Sequence, residues 1–459
     1  MNHTVLPAGA SSTPIRAKSR IYVLLVAMVA AISGLLFGFD TAVINGVLLF
    51  LRRQFVLSDL TTEVAASALL LGCLLGAAGA SLVGDRIGRR PLLLVSAMLF
   101  ALSTLVAALA GGVVVFSFGR LAGGLAIGLA SVLTPVYIAE IAPAANRGLL
   151  ISLNQLAIVL GILAAYLVSW KLAVLGDSSW RWMLGTAAVP SLLFFAGLLA
   201  IPESPRWLIS HQQRERGRAV LARIFGTDAA EAEVKAVELA AAQEEGSWSE
   251  VFSRENRKRL GVAVTLALLC QITGINTVLY YGSILMSEHF RGQSLGGTLM
   301  ANVIIGFTNL LGTVAAMGLL DRWGRRAMLL TATAGMTASL TLLVVAFKAG
   351  LSPSWMLASI VLYVGFFAFA MGPVPWIILS EIFPTKIRGR AAAIATSSLW
   401  SGTLVVTFTF LSLLRIFGVA GTFGIYAVLS LVSFVYIWMR VPETRGRTLE
   451  EIQEHWEKR

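Results

Sequence analysis

Gly84-Asp-Arg-Ile-Gly-Arg-Arg-Pro-Leu-Leu-Leu94 returns, 236 residues later, as Leu320-Asp-Arg-Trp-Gly-Arg-Arg-Ala-Met-Leu-Leu330. Two further pairs keep nearly the same offset. Glu140, Pro143 and Arg147 recur as Glu381, Pro384 and Arg388, each 241 residues on. Pro202-Glu-Ser-Pro-Arg206 recurs as Pro442-Glu-Thr-Arg-Gly446, 240 residues on. An internal period this long is two copies of one large unit.

What fills each unit is apolar. Hydrophobic residues make up 57% of the 459-residue chain and charged residues 13%, with mean hydropathy +0.80. A soluble domain carries about 25% charge. Twelve apolar runs fall near 21–48, 64–83, 91–110, 113–137, 148–170, 182–201, 260–286, 296–320, 327–347, 355–379, 391–414 and 420–440. Each approaches or exceeds the roughly 20 residues that cross a 30 Å hydrocarbon core. The first run is too long for a signal-peptide core and eleven more follow it. The expected fold is therefore an all-α membrane protein, twelve transmembrane helices in two six-helix halves. Its parts are a terminal segment 1–20, a first half 21–201, a polar linker 202–258 with short amphipathic helices, a second half 259–441 and a tail 442–459. Parallel halves with a site between them are a transporter architecture.

Basic residues orient the chain. With both termini inside, the inner short segments hold Arg16, Lys18, Arg20, Arg86, Arg89, Arg90, Arg147, Arg322, Arg325, Arg326, Lys386, Arg388 and Arg390. The outer segments hold only Arg52, Arg53, Lys171, Arg181, Arg291, Lys348 and Arg415. The net charge of +12 then belongs to a cytoplasmic face opposed to anionic lipid, and nucleic-acid binding has no basic globular domain to carry it. The expected location is a plasma membrane, a bacterial inner membrane, with both termini cytoplasmic. Cys73 and Cys270 lie in different apolar runs, so no disulfide framework is expected.

Asp40 and Arg120 stand inside apolar runs, whereas other charged residues fall at or beyond run ends. A charge at bilayer depth costs about 2.5–3.5 kcal/mol on insertion scales, so it marks a functional site or a paired group. One carboxylate and one guanidinium suggest proton coupling. Burial disfavours a carboxylate's charge and a nearby cation favours it, so a motion that changes their separation moves a proton.

Other chemistries find little support. No Lys follows a Gly, so no Walker-type phosphate loop exists. His3, His211, His289 and His455 all lie outside the apolar runs, and no metal or cofactor is expected. Gly292-Gln-Ser-Leu-Gly296 fits G-x-S-x-G, but in an outer loop and not at the strand–turn–helix that this motif requires. The chain does not read as an enzyme.

GDRIGRR (84–90), PVYIAEIAPAANRG (135–148), PESPRWL (202–208), QITGIN (271–276), DRWGRR (321–326), PWIILSEIFPTKIRG (375–389) and PETRGRTLEE (442–451) stand in one order along the chain. As an ordered set they resemble the sugar porters of the major facilitator superfamily, over about residues 20–450. The resemblance implies import of a monosaccharide, hexose or pentose, by alternating access, with a monomer sufficient. It implies sugar contacts from Phe37, Gln155, Ile162, Gln271, Ile275, Asn276, Asn309, Phe367, Gly372, Trp376 and Trp400. Cys270 and Leu399 occupy places where similar porters carry hydrogen-bonding residues, which points to a sugar with fewer hydroxyls or a different epimer. Cys270 is expected to present its thiol to the central cavity. Similar proton-driven porters carry an acid at the place of Asp40, and facilitative glucose transporters a neutral residue, so symport is expected. A proton-independent sugar or polyol facilitator, such as one for inositol, is the alternative; a non-transporting sugar sensor is more remote. The resemblance also implies an inner gate of ion pairs between halves. They would be drawn from Asp85, Arg86, Arg89, Arg90, Glu140, Arg147, Asp321, Arg322, Arg325, Arg326, Glu381 and Arg388.

Overall fold

The computed structural model describes residues 17–143, 147–242, 247–289, 294–383, 387–443 and 445. Ten helical stretches are long and apolar enough to cross a membrane. Two of them, Ser152–Ala200 with 49 residues and Gly389–Arg440 with 52, exceed one crossing more than twofold, since 49 helical residues span about 74 Å. Each breaks at a glycine in the left-handed region, Gly176 (φ 71°) and Gly418 (φ 66°). Among the described residues the crossings therefore number twelve.

In chain order the first half is α1 Ala17–Gln54, α2 Asp59–Ile87, α3 Arg89–Ala108, α4 Val113–Ile141, α5 Arg147–Leu172, and α6, formed by Ser179–Gly185 and Ala188–Ala200. The linker carries four short helices, Pro205–Ser210, Arg214–Phe225, Thr227–Ala242 and Trp248–Val251. The second half begins with α7, formed by Arg254–Ile272 and Ile275–His289, then α8 Leu295–Trp323 and α9 Arg325–Lys348. α10 runs from Pro353–Phe366 through a π-turn, Phe367–Met371, to Val374–Glu381. α11 and α12 are the two arms of Arg388–Arg440 on either side of Gly418.

The repeated motifs have a local physical reason. Gly88 joins α2 to α3 at φ 104° and Gly324 joins α8 to α9 at φ 87°, a region that a residue with a Cβ adopts at a cost. A Cβ at either would lie 2.5 Å from Glu203 Oε2 or 2.6 Å from Glu443 Oε2. Those carboxylates accept the first amides of the helix beyond. Arg89 N donates to Glu203 at 3.2 Å and Arg90 N at 3.1 Å, while Arg325 N and Arg326 N donate to Glu443 at 2.9 and 3.1 Å. These amides have no intrahelical acceptor, and the helix dipole favours an anion there. Arg90 in turn donates to the last carbonyls of α6, Leu198 O at 2.8 Å and Leu199 O at 2.9 Å. Arg326 donates to Trp438 O of α12 at 2.6 Å. One Gly-Arg-Arg and one distant Glu thus clasp the third helix of each half to its sixth.

Even numbers of crossings return each half to the face where α1 begins, termed here the terminal face. The opposite one is the far face. Among the described residues, the hydrogen bonds seen between the halves lie towards the far face. Asn45 Nδ2 of α1 donates to Leu279 O of α7 at 3.0 Å and to Asn302 Oδ1 of α8 at 3.2 Å. Ser283 N donates to Asn45 Oδ1 at 2.7 Å, and Tyr166 OH of α5 donates to Leu279 O at 3.1 Å. Arg52 binds Asp59 of its own half at 2.6 Å and Glu288 across the interface at 2.9 Å.

Candidate functional site

Asp40 and Arg120 meet. Arg120 Nη1 binds Asp40 Oδ1 and Nη2 donates to the Asp40 carbonyl at 3.1 Å. Both side chains are 3% exposed. Asp40 Oδ2 and Arg120 Nε are buried without a hydrogen-bond partner. The pair lines a small cavity with Ser103, Thr104, Ala107, Gly119, Gly123 and Leu184. One carboxylate oxygen is therefore tied to the guanidinium and the other is open to a proton.

One turn before Asp40, Phe37 of α1 faces Trp400 of α11 across the two halves, ring centroids 5.5 Å apart. Trp400 is 3% exposed and its Nε1 is a buried donor without a partner. The carboxylate and this cross-half aromatic contact thus share one helix segment.

α7 and α10 are both interrupted at mid-length, as Gly and Pro allow where neighbours take over the freed backbone groups. Gly274 sits at φ 93° between the segments of α7. Tyr363 OH of α10 donates to Thr273 O beside this break at 2.9 Å. Cys270 Sγ donates to Met371 O at the π-turn of α10, also at 2.9 Å. Asn276 Nδ2 donates to Gln271 Oε1 at 2.5 Å, so the two amides are paired. Here an expectation is corrected. Cys270 is 1% exposed, and its thiol is engaged with α10, not presented to open space. A small weak donor at this position reaches a carbonyl that the broken helix leaves free.

The remaining candidates divide by burial. Ile162, Ile275 and Leu399 are packed in the interior, and Gln271, Asn276 and Asn309 are buried amides. Gln155, Phe367 and Gly372 are half-buried, and Trp376 is 39% exposed. Gly372 follows the π-turn, and its amide donates to Phe367 O at 3.0 Å.

At the terminal face, the ion pairs of Arg89 lie within the first half. Arg89 binds Asp85 at 2.9 Å and Glu140 at 3.0 Å. Burial pushes the Glu203 carboxyl up, against the pull of the amides of Ser204, Arg90 and Arg89. Arg90 and Arg326 serve the helix ends described above. Arg86 and Arg322 lie in the last turns of α2 and α8. The side chains of Arg147, Asp321, Glu381 and Arg388 lie outside the described residues, as do residues 292 and 293 of the G-x-S-x-G match.

The sequence reading missed one carboxylate and underrated one amide. Glu63, near the start of α2, is 0% exposed. It accepts from Ser412 N at 2.7 Å and Ser412 Oγ at 2.9 Å, across the interface on α11. Its place at a run end made it look solvated. Asn45, amid apolar neighbours in α1, was a visible signal left unread.

A family model described as "Sugar (and other) transporter" matches residues 26–456. The arabinose-proton symporter of Bacillus subtilis is 37% identical over 449 residues, covering 96% of this chain and 96% of that protein. The inward-open conformation of the xylose transporter XylE from E. coli superposes with TM-score 0.84 at 33% identity, covering 95% of this chain and 100% of that one. The proton:xylose symporter XylE bound to 6-bromo-6-deoxy-D-glucose superposes at TM-score 0.80 and 34% identity, covering 95% and 100%. The chain belongs to the sugar transporter family, whose members of this fold are major facilitator transporters and not enzymes.

Proposed function

We propose that this chain imports a pentose or hexose by proton symport, alternating access between its two halves. The observation that carries the reading is the buried Asp40–Arg120 pair, with one carboxylate oxygen unpartnered. Relatives named as arabinose-proton and proton:xylose symporters support it.

The residues divide the work as follows. Asp40 Oδ2 takes the proton. Protonation neutralises the carboxylate, weakens its hold on Arg120 and frees α1 to move against α4. Phe37, one turn away on α1 and in contact with Trp400, passes that movement to the sugar site between the halves. Gln271, Asn276 and Asn309 offer amides that donate and accept, which suits hydroxyls. Trp400 and Trp376 offer apolar faces to the C–H side of a sugar ring, and Trp400 Nε1 a free donor. Gln155, Phe367 and Gly372 complete the cavity wall, with Ile162 and Ile275 behind them. Cys270 shapes this wall through α10. The terminal face is cytoplasmic, by the basic-residue bias, so the far-face contacts close the outside. The charges at the terminal face then regroup between halves when that side closes. A single chain in the lipid bilayer suffices for the cycle.

Uptake of a labelled sugar and polyol panel by a transport-deficient bacterium, with external pH recorded, tests the reading. Sugar-induced alkalinisation with one pentose or hexose is the expected result. Uptake that an uncoupler leaves untouched would replace symport by facilitation, and tight binding without uptake would replace it by sensing.

A further inference from the structure

Glu63 is a buried carboxylate that the proton-coupling pair does not use. It lies in α2 of the first half with 0% exposure, and its two oxygens are both taken by one residue of the second half, 349 positions away in sequence. The donors are Ser412 N at 2.7 Å and Ser412 Oγ at 2.9 Å. Ser412 stands six residues before the Gly418 break, at the far-face end of α11.

Two features set this contact apart from ordinary packing. First, the amide of Ser412 lies inside a helix, where its regular acceptor would be the carbonyl of Phe408, four residues back. Here that amide donates to a carboxylate of the other half. Second, a carboxylate out of water is costly unless hydrogen-bonded, and here neutral donors of a single residue supply those bonds. Parting the halves at this end returns Glu63 to water and leaves Ser412 N the carbonyls of its own helix. Each state is satisfied by itself, and intermediate separations leave the charge stranded. Such a contact switches; it does not stretch.

We infer that Glu63 is a latch of the transport cycle, whose carboxylate, clamped on Ser412, holds the far face closed and is released when that face opens. Hydrogen bonds to an ionised group are roughly twice as strong as neutral ones, so the hold belongs to the charge and not to the shape of the side chain. The Asn45–Asn302–Ser283 cluster and the Arg52–Glu288 pair close the α1–α7–α8 side of the same face. Glu63 closes the α2–α11 side.

The inference rests on the alternating-access reading, and its test separates the two. Spin labels go on cysteines placed at Val174 and Ile416, which are 85% and 67% exposed on opposite halves at the far face, while Cys73 and Cys270, 0% and 1% exposed, stay in place. Distance distributions are measured in nanodiscs for the parent, Glu63→Gln and Glu63→Ala. The expected result is a graded rise in the long-distance, far-face-open population, Glu63→Ala above Glu63→Gln above parent. Loss of a charged hydrogen bond makes the open-to-closed ratio rise on the order of tenfold for Ala. Glu63→Gln is isosteric and guards against misfolding, checked by retained sugar binding. Unchanged distributions in both variants would overturn the latch, and so would a shift towards the closed state, which would make burial of the charge dominant. A parent whose distribution never moves with sugar or pH would instead overturn alternating access.

Discussion

At the scale of single residues, Asp40 and Arg120 were legible because a charge within an apolar run needs a partner, and each was the other's only candidate. Their contact is a buried ion pair. Removing one partner of a buried ion pair costs about 3–5 kcal/mol because the other charge is stranded. Arg120→Leu alone should therefore lower thermal stability in detergent sharply, and Asp40→Asn added to it should restore most of the loss. Melting curves that drop equally for the single and double variants would mean that Arg120 is held for its bulk and not for its charge. Glu63 and Cys270 were not legible in the same way. Sequence gives depth along a helix but not azimuth. Whether Glu63 turned to lipid headgroups or to Ser412, and whether Cys270 turned to a cavity or to Met371 O, is decided by the neighbouring helix.

At the scale of elements, the twelve runs were readable because length and hydropathy decide membrane crossing. The breaks were readable where glycine stood: Gly418 falls between the runs read at 391–414 and 420–440. What sequence did not resolve was the partner of each charged loop. The Arg and Glu residues of the repeated motifs were read as a gate between halves. In this state Arg90 and Arg326 of that set bind helix C-termini, and Glu203 and Glu443, which were not assigned to the gate, bind helix N-termini, each within its own half. Gly88→Ala tests the clasp. It places a Cβ where φ is 104° and Glu203 Oε2 is 2.5 Å away, so stability should fall by about 1–3 kcal/mol. The measurement is chemical or thermal unfolding, with Gly111→Ala, where a Cβ meets nothing within 4 Å, as the control. Equal behaviour of the two variants would remove the clasp from the account.

At the scale of the whole molecule, the repeat at an offset near 240 residues already pointed to two like halves. The halves close against each other at the far face through Asn45, Tyr166, Arg52 and Glu63, and the aromatic pair Phe37–Trp400 sits between that closure and the terminal face. Coupling then requires that a proton on Asp40 alter how the halves meet. The most direct measurement uses purified Asp40→Asn in proteoliposomes, assaying sugar accumulation driven by a pH gradient beside sugar-for-sugar exchange without one. Accumulation should vanish while exchange persists, because a permanently neutral side chain still lets the loaded protein change state but carries no proton. Accumulation that survives in Asp40→Asn, and that an uncoupler still abolishes, would place proton coupling elsewhere and contradict the account.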